Sequence, residues 1–98
     1  MANYRDYIAA DERVDLFLDN CVVENDNRGQ IYVTNKKVIF IGAEEIRNFA
    51  LDKIDEVIVE QYCVSFGIVS KDWIVFEKEN NNVTMLDRLV STIAKNLG

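Results

Sequence analysis

Apolar and polar residues alternate along most of this 98-residue chain, and the rhythm changes once, after residue 82. The alternation is clearest from Gly29 onward. Ile31 and Val33 are separated by Gln30, Tyr32 and Thr34, the two-residue period of a strand with one buried face. Asn35-Lys36 supplies a tight turn, with the asparagine expected in the left-handed backbone that two-residue hairpin loops need. Val38-Ile39-Phe40-Ile41 follows as a strand apolar on both faces, hence central and covered on both sides.

Shorter runs flank this hairpin. Residues 20–24 predict a first strand, closed by a turn over 25–29 whose side chains bond their own backbone. After a turn at Ala43-Glu44-Glu45, residues 46–51 predict a fourth strand with Phe49 and Leu51 inward. Asp52-Lys53 turns the chain, and residues 54–61 predict a fifth strand with Val57 and Val59 on one face. Residues 62–70 predict a sixth, alternating Val64, Phe66 and Ile68, with Gly67 marking a bulge or a close backbone approach. Lys71-Asp72 leads into a seventh at 73–78. Beyond the break at 79–82, Val83, Leu86, Val90, Ile93 and Leu97 fall on a helical stripe, with Asn82 as cap and Lys95 near the negative end of the dipole.

Residues 3–18 predict a short helical segment of one or two helices, capped by Asn3 and Asp11, with Tyr4, Ile8, Val14, Phe17 and Leu18 as its apolar face. Asp11, Asp15 and Asp19 then stack at every fourth residue. A solvated helix face is expected there in preference to metal or acid–base chemistry.

Seven such strands cannot share one flat sheet without exposing an apolar face. The expected fold class is therefore mainly β (α+β). Seven antiparallel strands would form two near-orthogonal sheets closing into a barrel over about 20–78. The helix at about 82–97 would cover its open end, with Val83, Leu86, Val90 and Ile93 as the plug. No proline, linker or repeat divides residues 1–98, so a single domain is expected.

Composition narrows the function. An apolar share of 49% with 10% aromatics excludes general disorder. No apolar run approaches the ~20 residues of a membrane-spanning helix, and the start of the chain is too acidic for a signal peptide, so a cytoplasmic location is expected. Cys21 and Cys63 lack metal-ligand spacing and are expected as small hydrophobes in preference to a disulfide. Without a secretion signal, Asn82-Val83-Thr84 matches a glycosylation sequon by chance. The net charge of −6 repels phosphate backbones, which argues against a nucleic-acid partner. The absence of histidine removes the commonest general base and most zinc sites. Glu24-x-Asp26-x-Arg28-Gly29 fails as a calcium loop, because Arg28 stands where an oxygen ligand is needed. With no nucleophile–base pair and no phosphate loop, no catalytic, cofactor or metal residue is expected, and enzymatic activity ranks last.

Cys21, the run Gly29-Gln30-Ile31-Tyr32-Val33-Thr34-Asn35-Lys36-Lys37 with Val38-Ile39-Phe40, and Leu51-Asp52-Lys53-Ile54 form a recognisable series. They resemble the G-x-L-Y-(V/L)-T-(N/D)-x-R-(L/I)-x-F run and later L-x-x-I of pleckstrin-homology-like domains of the GRAM or bacterial PH type. The resemblance covers about residues 12–97, with Lys37 where the family often has arginine. It implies a seven-stranded barrel capped by a C-terminal helix. For function it implies lipid binding, protein binding and oligomerisation alike.

Charge separates these. The first–second and third–fourth turns, where relatives of this fold often hold phosphoinositide headgroups, bring Glu24, Asp26, Glu44 and Glu45 against Arg28 alone, the wrong sign for a polyanion. Arg47 nearby does not reverse it. The opposite end carries Lys36, Lys37, Lys53 and Lys71 against Asp52, Asp55 and Asp72. Over residues 28–53 five basic side chains face three acidic ones, a polarity that could orient an acidic partner, although lysines in turns are usually just solvated. Ile39, Ile41, Ile58, Ile74 and Trp73 or Val75 exceed what one barrel interior holds, so some should meet the N-terminal segment or another subunit. Strand edges add a template for a further chain. The expected function is a non-enzymatic PH/GRAM-like module acting through protein contacts, with homo-oligomerisation as one form. A membrane-surface or phosphoinositide-type lipid headgroup module is the alternative. The candidate partner-binding residues are Lys36, Lys37, Lys53, Lys71 and Trp73.

Overall fold

The computed structural model describes residues 7–23, 27–43, 45–68 and 72–97. Seven antiparallel strands form two sheets, followed by one helix. The first sheet is a meander of β1 (Val14–Val23), β2 (Asn27–Thr34), β3 (Lys37–Gly42) and β4 (Ile46–Ala50). A 3-10 turn at Leu51–Lys53 leads to the second, of β5 (Glu56–Val59), β6 (Cys63–Ile68) and β7 (Asp72–Glu77), and α1 (Val83–Leu97) follows.

The β2–β3 hairpin lies where the alternation places it. Ile31, Val33, Val38, Ile39 and Phe40 are all at most 1% exposed. Its turn is held differently from the expectation. Asn35 does not take the left-handed backbone; the Thr34 hydroxyl instead accepts the Lys36 and Lys37 N–H groups at 3.0 Å each. Among the described residues, the non-glycine position with positive φ is Asn20, at 55°. It sits in a β-bulge of β1 between Leu18 and Cys21. The extra residue switches the inward set from Leu16 and Leu18 to Cys21 and Val23.

The N-terminal helical segment expected over 3–18 is not observed among the described residues. Residues 7–13 form a turn-rich segment, and Val14 to Leu18 belong to β1. Val14-Asp15-Leu16-Phe17-Leu18-Asp19 carries a strand period that a helical reading overrides, because Leu16 and Leu18 are buried while Asp15, Phe17 and Asp19 face out. Asp11, Asp15 and Asp19 therefore share no helix face.

Between the sheets, Phe49 meets Phe66 edge-on at 5.4 Å, and Phe66 stacks on Phe76 at 6.2 Å. Ile74, expected outside the inward set, lies in this core at 0% exposure. Gly67 marks the close approach expected of it: a Cβ there would lie 2.2 Å from the Asp72 carbonyl oxygen on the neighbouring strand.

No ladder joins the two sheets among the described residues, so the expected closed barrel is open. Side chains join them instead. Asn81 donates to the Val22 carbonyl at 2.8 Å and accepts the Val22 N–H at 2.8 Å, acting as one rung of pairing beside β1. At the other end of β7, the Arg47 guanidinium on β4 donates to Asp72 and to the Trp73 carbonyl. β7 therefore reaches from the β4 edge of the first sheet to its β1 edge.

α1 begins as the sequence predicts, with the Asn82 side chain accepting the Thr84 N–H at 2.9 Å. Its buried face is turned from the expected one. Leu86, Leu89 and Ile93 are at most 1% exposed, whereas Val83 and Leu97 are 49% and 41% exposed. Asn96 explains the rotation. It continues the Leu86–Leu89–Ile93 line and donates to the Thr34 carbonyl at 3.0 Å and to Asp15 at 2.7 Å.

Candidate functional site

Three surfaces gather the polar, charged and exposed apolar residues. The first is the β2–β3 turn, where the candidate lysines were expected to lie free. Glu12 is brought there by the N-terminal segment, its side chain 4% exposed, and it accepts the Thr34 hydroxyl at 2.7 Å. Lys37 lies 3.2 Å from Glu12 and also donates to the Tyr7 carbonyl. Burial pushes the Glu12 carboxyl up, but hydrogen bonds from Thr34, the Ala9 N–H and Lys37 outweigh it and hold the group below its ordinary range. Beside it, Arg13 and then Asn96 lower the Asp15 carboxyl. Arg13 and Asn35 also exchange backbone and side-chain bonds at 2.8 and 3.0 Å. The same segment lays Ile8 over Tyr32 and Ile39, covering the outer face of the first sheet.

Of the candidate residues, Lys37 is thus engaged internally, and Lys36 lies 3.4 Å from Asp11 while staying half exposed. Lys53 is exposed at the end of the 3-10 turn. Lys71 lies outside the described residues. Trp73 is half-buried on the second sheet, away from Lys36 and Lys37, so the candidates among the described residues do not form one site.

The second surface is where the start of β2 lies beside Glu45 and the β1 bulge. Asn27 donates to Glu45 at 2.8 Å, and Arg28 to the Asn20 side chain at 3.0 Å. A shallow groove of about 610 Å³ runs here over Ile41 and Ile46, rimmed by Asp19, Arg28 and Glu45. Its single guanidinium is already bonded to Asn20 and stands beside two carboxylates. Glu24, Asp26 and Glu44, also assigned to this end, lie outside the described residues.

The third is the outer face of the second sheet. Cross-strand register places Ile58, Ser65 and Val75 in one row and Glu56, Gly67 and Trp73 in the next. Ile58, Trp73 and Val75 are half-buried; Val59, which alternates to the other face, and Tyr62, just past β5, are 54% and 75% exposed. Beyond β5 no described strand pairs.

The two thiols are free, as their spacing suggests. Burial, reinforced by Asp19, pushes the Cys21 thiol up to about 11, while Cys63 is half-buried on β6. Native protein treated with iodoacetamide at about pH 8 should therefore label at Cys63 and leave Cys21 unmodified until denaturant is added, because the thiolate is the nucleophile. Peptide mass mapping that finds both modified at equal rates would contradict the buried placement.

The sequence reading missed Glu12, and it placed Arg47 as a charge near the acidic turns and not as the tie to Asp72 and the Trp73 carbonyl. Glu12 was hidden because an acidic residue in a charged stretch is usually solvated. Neither a family model nor a curated protein matches this chain.

Proposed function

We propose that this chain is a non-enzymatic, PH/GRAM-like binding module that works through protein–protein contacts. The observation that carries this reading is the outer face of the second sheet, where Ile58, Trp73 and Val75 form an apolar strip beside the unpaired edge of β5. The N-terminal segment covers the equivalent face of the first sheet, with Ile8 on Ile39. Among the described residues, no segment does so for the second. Apolar strips next to open strand edges are where proteins add a partner.

The lipid alternative is the weaker one. Lys37 is held by Glu12 and Lys36 faces Asp11, so two lysines of the basic end already stand beside carboxylates when an anionic surface approaches. The opposite end pairs its guanidinium with Asn20 beside Asp19 and Glu45. No described helix is long and apolar enough to cross a membrane.

The reading is tested by affinity capture on the immobilised chain, with Trp73→Glu and Lys36→Glu/Lys53→Glu as controls. A partner protein should be retained by the lysine variant and lost by the Trp73 variant. Flotation with phosphatidylserine vesicles, abolished by the lysine variant and by high salt, would overturn the reading in favour of a lipid surface.

A further inference from the structure

We propose that the open edge of β5 binds an extended basic segment of another protein, in which lysine or arginine brackets two apolar residues, as a fourth strand of the second sheet. This rests on the protein-contact reading above and names the partner's chemistry. The hydrogen-bonding groups come first. The Glu60 N–H donates to the Cys63 carbonyl at 2.8 Å, which makes that pair and, by alternation, Ile58 with Ser65 the bonded pairs of the β5–β6 ladder. Val57 and Val59 therefore turn their N–H and C=O groups to the open side. An incoming strand meets two donors and two acceptors there.

Charge then selects the occupant. Asp55, Glu56 and Glu60 are all exposed, and residues 54–62 contain no basic side chain. On the outer face, Glu56 and Glu60 flank Ile58, while Val57 and Val59 alternate toward the other face. The complement is a segment with basic residues across from Glu56 and Glu60 and apolar residues across from Val57 and Val59. A second copy fits less well. Pairing Val57 with itself sets each carboxylate opposite an apolar residue. It also gathers three carboxylates from each copy along a seam of about 17 Å at ~3.4 Å per residue. Many of those separations are on the order of the ~8 Å screening length, so the seam repels itself.

The test uses a fluorescein-labelled peptide, Gly-Lys-Val-Thr-Val-Lys-Gly, and its counterpart with glutamate for both lysines, titrated with the full chain and read by anisotropy. The basic peptide should bind at least about tenfold tighter than the acidic one and weaken as salt is raised. Val59→Pro should abolish binding with an unchanged circular-dichroism spectrum, because the lost N–H faces the open side and the side chain is exposed. Glu56→Lys/Glu60→Lys should reverse the preference. Equal binding of the two peptides, or binding untouched by Val59→Pro, would overturn the proposal. So would a dimer in light scattering that Val59→Pro dissolves, since the occupant would then be a second copy. If the peptides fail while capture of a partner still depends on Trp73, this inference falls and the protein-contact reading stands.

Discussion

Leu89→Ala is expected to cost about 2–5 kcal/mol of folding stability, whereas Val83→Ala in the same helix should change it by less than about 0.5 kcal/mol. Leu89 is 0% exposed and packs with Leu86 and Ile93 into the core between the sheets. Truncating it removes apolar contact and leaves a cavity that a helix tied at both ends cannot collapse. One tie is the Asn82 cap, and the other is Asn96 on Thr34 and Asp15. Val83, at 49% exposure, already loses little on unfolding. Urea denaturation of the two variants measures the difference directly. A Val83 variant as damaged as the Leu89 variant would mean that the helix packs on the face read from its simple stripe.

Glu12→Gln should be nearly as informative. The substitution leaves the Lys37 ammonium largely buried, facing an amide in place of a carboxylate. A cost of about 2–3 kcal/mol is expected, below the ~3–5 of a fully buried pair because Lys37 keeps 18% of its side chain exposed. The pH dependence has a definite sign. The folded Glu12 carboxyl lies below its ordinary value of 4.5, so the unfolded chain takes up the proton first as pH falls. The stabilisation is complete above about pH 4.5 and is lost as pH falls through the lowered folded value. Asp15, also lowered, adds a further loss that begins at lower pH, below its ordinary value of 3.8. Wild-type urea midpoints should therefore drop as the pH is taken below about 4.5, and those of the Gln variant should drop less. Parallel profiles for the two proteins would show that Glu12 is not the group holding the N-terminal segment down.

Much of this arrangement is legible in the sequence, because alternation over Gly29 to Gly42 and the change of period after Asn82 are local signals. The strands of the second sheet are legible for the same reason. What the sequence hides is set by distant contacts. The β1 bulge at Asn20 changes which residues face inward, and nothing near Asn20 announces it. Residues 14–18 carry both a helical and a two-residue pattern, and pairing with β2 decides between them. Lys36 and Lys37 look like a free basic turn until the fold lays Asp11 and Glu12 on them. The rotation of α1 depends on Asn96 finding a strand-end carbonyl sixty-two positions away.

Amide hydrogen exchange resolved along β5 puts the open edge to the most direct trial. In dilute protein, the Val57 and Val59 amides should exchange fast while Ile58, bonded to β6, stays protected, and the basic peptide should slow the two valines selectively. Val57 and Val59 protected as well as Ile58 in the isolated chain would mean that this edge is already covered, and the surface assigned to a partner would not exist.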